Sequence, residues 1–228
     1  MTIPALTADQ MREVDRLMID ELHIEVVQMM ENAGRNLAEL AIRLFAPRIA
    51  TVLAGPGGNG GGGMAAARHL ANRGVRVEIV LSHLEAGMAP APRHQLDILR
   101  RMGLPVRQEP SAEQDLVLDA LIGYSLNGDP RDRAAELIEW ANRQGKPILA
   151  LDTPSGLDVT TGQAASPCIR ASVTMTLALP KAGLLAARAW VGELFLADIS
   201  VPPVVYRRLG IEVSGLFKKD TIVAVASE

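Results

Sequence analysis

Cysteine, aromatic side chains and an excess of either charge are all scarce in this sequence, and each scarcity excludes something. Of 228 residues only Cys168 carries a thiol, so no intrachain disulfide can form and a reducing cytoplasm is the expected compartment. Aromatic residues make up 3% of the chain, too few for a base-stacking surface. The formal net charge is -3 with both signs interspersed, which leaves no basic footprint for nucleic acid or an anionic membrane. No apolar run approaches the roughly 20 residues that span a bilayer, and the opening Met1-Thr2-Ile3-Pro4 lacks the basic and apolar regions of a signal peptide. A soluble cytoplasmic protein is therefore expected. His23, His69, His83 and His94 are scattered without an i, i+4 pair, so a zinc site is not suggested.

What is there suits one domain with a sizeable core, residues 1–228. Thr7 with Gln10 reads as a capping box, and Met11, Val14, Leu17 and Met18 follow at helical spacing, predicting a helix to about Leu22. A second helix is predicted from about Glu25 to Phe45. Inside it Asn32 and Gly34 cost ~0.5 to 1 kcal/mol each relative to alanine. Either another element packs closely there, or the helix faces a site, or two weak residues are simply tolerated.

From Ile49 the pattern changes. Ile49 to Ala54 is a short apolar run closed by Gly55-Pro56, Met64 to Arg73 reads as a helix, and Val75 to Leu81 is a second β-branched run. Further strands are predicted at Leu116 to Ile122, Pro147 to Leu151, Ala171 to Ala178 and Glu193 to Ile199, with helices near Arg93 to Met102 and Arg131 to Gln144. Apolar strands alternating with helices predict an α/β sandwich with a mostly parallel central sheet covered on both faces. Its ligands belong at the carboxyl ends of the strands. The tail over 204–228 reads as irregular, with one late strand at Thr221 to Val225.

Three strand ends carry candidate chemistry. Gly55-Pro56-Gly57-Gly58-Asn59-Gly60-Gly61-Gly62-Gly63 follows the first strand and opens a helix, where bare backbone N–H groups and the helix dipole favour an anion. It is no Walker loop, and the acidic partner of a dinucleotide fingerprint is not in place: Glu78 is mid-strand and Glu85 lies past it. Asp119-Ala120-Leu121-Ile122-Gly123 and Asp152-Thr153-Pro154-Ser155-Gly156-Leu157-Asp158 each put a carboxylate at a strand end. Aspartate also caps turns there, so each alone is ambiguous. Asn59, Asp119 and Ser155 offer an amide oxygen, a carboxylate and a hydroxyl, a set suited to one hard cation. Ser155 lies outside any nucleophile elbow.

Together with Met30-Glu31-Asn32-Ala33-Gly34 and Pro180-Lys181-Ala182-Gly183-Leu184, these motifs occur in the order and rough spacing of the NAD(P)H-hydrate epimerase family, the YjeF N-terminal domain, which the chain resembles from about Leu6 to Pro203. The resemblance implies a Rossmann-like three-layer α/β/α sandwich, often a homodimer, that interconverts the R and S epimers of hydrated NADH or NADPH with one bound potassium ion. It makes Asn59, Asp119 and Ser155 the potassium ligands. It gives the nucleotide the loops 58 to 62 and 123 to 129 together with Asp152, and Asp152 is the candidate general acid/base. The kinase-like dehydratase domain sometimes fused to this one is not in the sequence, so no ATP chemistry is expected.

Two loops depart from the pattern. Gly58 and Gly62 stand where the family has asparagine and aspartate. The usual Gly-Thr-Gly-Leu-Ser-Arg is here Gly123-Tyr124-Ser125-Leu126-Asn127-Gly128, followed by Asp129. A lost hydrogen bond to a charged group costs ~1.5 to 3 kcal/mol, whereas a lost acid or base costs ~10²- to 10⁴-fold in rate. Binding can therefore outlast turnover, and a silent domain that holds a nucleotide-like ligand or a protein partner stays beside the epimerase as an alternative. A dehydrogenase or methyltransferase on the same kind of sheet is the third reading.

Overall fold

The computed structural model describes residues 3–213 and 215–225. The first helix, α1 (Ala8–Arg16), begins on the Thr7–Gln10 capping box and runs into a π-turn over Leu17–Glu21. α2 (Val26–Phe45) follows, itself capped reciprocally by Glu25 and Gln28. The remaining order is β1 (Ile49–Ala54), α3 (Gly58–Ala71), β2 (Arg76–Leu81), α4 (Pro90–Arg101), β3 (Val106–Arg107), β4 (Leu116–Ala120), α5 (Asp132–Arg143), β5 (Ile148–Leu151), β6 (Val173–Leu177), α6 (Ala182–Ala186), α7 (Arg188–Val191), β7 (Glu193–Ala197), α8 (Pro203–Arg208) and β8 (Ile222–Ala224).

The strands form one sheet in the order β3-β2-β1-β4-β5-β6-β7-β8. All neighbours are parallel except β7 and β8. The central strands β1, β4 and β5 are buried on both faces, as continuous apolar runs require. Alternate residues supply two cores. Ala50, Val52, Leu116, Leu118, Leu149 and Leu151 face the helices α1 to α4, while Leu53, Val117, Ile148 and Ala150 face α5. This is the expected α/β/α sandwich. Because β1 is flanked by β2 on one side and β4 on the other, chain direction across the sheet reverses there, which leaves a crevice at the carboxyl edge.

Three expectations need correction. The helix after β1 starts at Gly58, six residues before the expected Met64. Glycine propensity argues against this by about 1 kcal/mol per residue, but close packing overrides it: a Cβ on Gly60 would lie 1.9 Å from the Gly55 carbonyl oxygen. β3 and the short helices α6, α7 and α8 were too brief to show a period. The tail is not irregular throughout, since α8 precedes the expected late strand; Ser214 and residues 226–228 of it lie outside the described residues. Gly34, by contrast, has the close-packing reason that sequence left open, because its missing Cβ would meet Ala65 Cβ at 2.5 Å and Ala66 N at 2.7 Å. α2 and α3 touch along this contact, and Glu31 reinforces it by accepting from Arg68 and from His69 Nε2 at 2.7 Å.

Candidate functional site

An open cavity of about 800 Å³ lies along the carboxyl edge of the sheet, within the size range of small-molecule sites. The amino end of α3 forms one wall with Gly57, Gly58, Asn59 and Gly62. The loop from Leu121 to Arg131 forms another, Asp152 and Leu177 the floor, and Met11, Ile19, Met29 and Met30 a mostly apolar roof from the first two helices that also carries Asp15. Of the residues expected to contact a nucleotide, Gly58, Asn59, Gly62, Gly123, Tyr124, Ser125, Leu126, Asn127, Gly128, Asp129 and Asp152 all line this cavity. Gly60 and Gly61 lie behind it: Gly60 is held against Gly55, and a Cβ on Gly61 would meet Met30 Sδ at 2.6 Å.

Asp152 follows β5 directly with φ +68, a left-handed conformation that non-glycine residues adopt where the surroundings enforce it. Here its N–H donates to Met175 O at 2.8 Å. Its Oδ1 accepts from the Lys181 ammonium, from Leu177 N at 3.3 Å and from Thr176 Oγ1 at 3.4 Å. Lys181 is fully buried and also donates to Leu177 O at 2.9 Å and Thr176 Oγ1 at 3.2 Å. No protein donor reaches Oδ2 of Asp152 among the described residues. Sequence assigns Lys181 no role. The hint there is that Lys181 stands in the motif Pro180-Lys181-Ala182-Gly183-Leu184, just after a β-branched strand.

Asp119 and Ser155 sit beneath the cavity, both wholly buried. The Ser155 hydroxyl donates to Asp119 Oδ1 at 2.6 Å and accepts from Ile122 N at 2.9 Å, while Ser155 N donates to Asp119 Oδ2 at 2.8 Å. No Lys, Arg or His pairs with Asp119 among the described residues, and burial pushes its carboxyl up to about 6 despite the Ser155 and Leu121 hydrogen bonds. Asn59 completes the group by packing on Gly123, where a Cβ would lie 3.5 Å from Asn59 Oδ1. Its Nδ2 is buried without a partner. Turning the amide exchanges donor for oxygen at the same place. The structure thus brings together all three expected cation ligands. A buried carboxylate without a countercharge among the described residues and an unsatisfied buried amide fit an oxygen-coordinated cation.

Tyr124 and Asp15 also line the cavity, and the phenol donates to Asp15 Oδ2 at 2.5 Å. Sequence reasoning missed Asp15, which lies on the amphipathic α1 and looks there like an ordinary solvated residue. It missed Ser82 and His83 at the end of β2 as well. Asp129 is tied down by accepting from Ser166 N at 3.0 Å. Asp158 only closes a turn, accepting from Thr160 N and Thr161 N at 2.8 Å each.

Comparison with known proteins agrees with this geometry. The profile of the family described as "YjeF-related protein N-terminus" matches residues 26–183, from the start of α2 to Gly183.

The chain belongs to the YjeF-related family.

The match spans the glycine-rich turn and the segments that begin at Asp119 and Asp152. Among YjeF-related relatives, the NAD(P)H-hydrate epimerase of Dehalogenimonas lykanthroporepellens is 47% identical over 219 residues, covering 92% of this chain and 87% of that protein. The bifunctional NAD(P)H-hydrate repair enzyme Nnr of Hyperthermus butylicus is 40% identical over 190 residues, covering 79% of this chain but 35% of that longer protein. The crystal structure of the yeast protein ynu0, YNL200c, superposes with a TM-score of 0.85 at 23% identity, covering 97% of this chain and all of that one; it shares the fold. No helix among the described residues is long and apolar enough to cross a membrane.

Proposed function

We infer that this chain is an NAD(P)H-hydrate epimerase, interconverting the R and S epimers of hydrated NADH and NADPH. One observation carries the reading beyond family membership: Asp152 has one oxygen fixed by Lys181 and the other free of protein donors among the described residues, in a cavity of nucleotide size. Epimerisation requires the hydroxyl on the hydrated ring carbon to leave and return to the opposite face. The carbon–oxygen bond breaks with its electron pair passing to oxygen, the ring nitrogen lone pair fills the vacated position, and a proton converts the departing group to water. Re-addition of water reverses each change. Asp152 Oδ2, starting protonated, gives that proton to the departing oxygen and takes it back from the re-adding water, while Lys181 balances the carboxylate that exists in between and holds it in one orientation. The amino end of α3, with bare N–H groups at Gly58 and Asn59, takes the anionic part of the nucleotide.

Potassium fits Asn59, Asp119 and Ser155. When bound it supplies a fixed positive charge against the buried Asp119 carboxylate, tying together the loops that follow β1, β4 and β5. A cytoplasmic homodimer acting on a free nucleotide, without nucleic acid or membrane, is the setting we propose. Its supports are the composition, the single buried thiol of Cys168 and the family resemblance; sedimentation of the purified protein tests the dimer.

Gly62 favours a second reading. The family's aspartate is absent there, and Leu151 Cδ2 occupies the space, 2.8 Å from where a Cβ would stand. A domain that binds nucleotide without turnover would show this departure. Purified protein, R-NADHX and a separate S-specific dehydratase distinguish the two. Turnover above the spontaneous rate supports the epimerase, and nucleotide-dependent thermal stabilisation without turnover supports the binding domain.

A further inference from the structure

The Tyr124–Asp15 pair gives the cavity a polarity that the proposed reaction does not use. Tyr124 stands on the loop after β4 and Asp15 on α1, 109 residues apart in sequence, and their hydrogen bond joins two walls of the cavity. The bond has a direction. A carboxylate only accepts, so the phenol hydrogen is committed to Asp15 and the phenol oxygen is left with lone pairs alone. Burial and the neighbouring Asp15 charge raise the phenol far above its ordinary range, so it stays protonated. Burial pushes the Asp15 carboxyl up and its hydrogen bond from Tyr124 opposes that shift, and the pair lines the same cavity as Asp152.

We propose that Tyr124 is a specificity residue that accepts a hydrogen bond from the carboxamide N–H of the nicotinamide ring, and that Asp15 is the positioning residue that fixes Tyr124 as an acceptor. The inference rests on the epimerase reading for what occupies the cavity, and it adds which functional group on the ring is recognised. A site built around an acceptor rejects a ring substituent that lacks a donor, because the polar atoms are then buried against each other without a hydrogen. Tyrosine at this position also accounts for a departure in the loop: the shorter threonine of the family pattern, at the same Cα, has no ring to carry a hydroxyl across to Asp15.

The test compares binding of NAD⁺ with 3-acetylpyridine adenine dinucleotide by titration calorimetry. The two have the same charge and nearly the same shape, and differ in replacing the amide NH₂ by a methyl group. Wild-type protein is expected to prefer NAD⁺ by about tenfold. Tyr124→Phe is expected to bring the ratio close to one, and Asp15→Glu to keep the preference. Asp15→Asn, whose amide donates to the phenol and releases its O–H toward the cavity, is expected to reduce or reverse it. A purely structural role for the pair would lower the melting temperature of Tyr124→Phe and leave the ratio intact, and that result overturns the proposal. Wild-type binding of both dinucleotides without preference also overturns it, while leaving the epimerase reading in place. Binding of neither dinucleotide, with no binding of R-NADHX in the same titration, overturns the reading and this inference together.

Discussion

Lys181 stands just past the carboxyl end of β6, and its ammonium meets one carboxylate oxygen of Asp152, the residue that lines the cavity floor. The two are 29 positions apart, and both side chains are almost completely shielded from water. Such a pair does little for stability when intact, since desolvation offsets most of the attraction, but breaking it leaves a buried charge uncompensated. Its value lies in orientation, because Thr176 Oγ1, Leu177 N and Lys181 all converge on Oδ1.

Lys181→Met is therefore expected to destabilise the protein by about 3 to 5 kcal/mol, whereas Asp152→Asn with Lys181→Met is expected to recover part of that loss. Chemical denaturation of the two variants checks this. Equal stability of Lys181→Met and wild type would show that the pair is not closed in solution.

Potassium is expected to raise the melting temperature of the wild-type protein relative to tetramethylammonium, because binding only to the folded state stabilises it. Asp119→Asn removes the buried charge and should abolish the difference, and Asn59→Ala should weaken it. A wild-type transition insensitive to the cation would remove potassium from the account.

Close contacts make the glycines unequal. Gly34→Ala gains up to about 1 kcal/mol of helix propensity, but its new methyl meets Ala66 backbone nitrogen at 2.7 Å as well as Ala65 Cβ. Overpacking of about 1 to 3 kcal/mol outweighs the gain, so the variant should unfold earlier. Gly58→Asn points into open space and should change stability by about 0.5 kcal/mol or less while tightening nucleotide binding. Equal melting shifts for both variants would contradict the α2–α3 contact.

Gly62→Asp should be tolerated at a cost of about 1 kcal/mol, because the obstacle, Leu151 Cδ2, is the end of a movable side chain. Adding Leu151→Val should relieve it. On the epimerase reading, turnover changes only modestly; turnover that emerges from a silent wild type would favour the binding domain instead.

Much of this was legible before the structure, for definite reasons. Buried parallel strands must be apolar along their whole length, so β1, β4 and β5 announce themselves, and aspartates stand out at the ends of β4 and β5. Asn59, Asp119 and Ser155 could be grouped because parallel topology delivers their loops to one edge. The role of Lys181, although the residue stands in a family motif, and Asp15 altogether were not legible. A buried lysine has the same symbol as a solvated one, and its partner lies across a strand and a loop. Nor could propensity reveal that α3 begins within the glycines, because the gain comes from α2, β1 and the loop after β4 closing on bare backbone.

The most direct measurement is epimerisation of R-NADHX by wild type and Asp152→Asn in potassium buffer, read through an S-specific dehydratase. Wild-type turnover above the spontaneous rate, falling by ~10²- to 10⁴-fold in the variant with its fold intact, is the predicted result. Equal turnover in the two proteins would contradict the role of Asp152, and a folded wild type without turnover would contradict the epimerase itself.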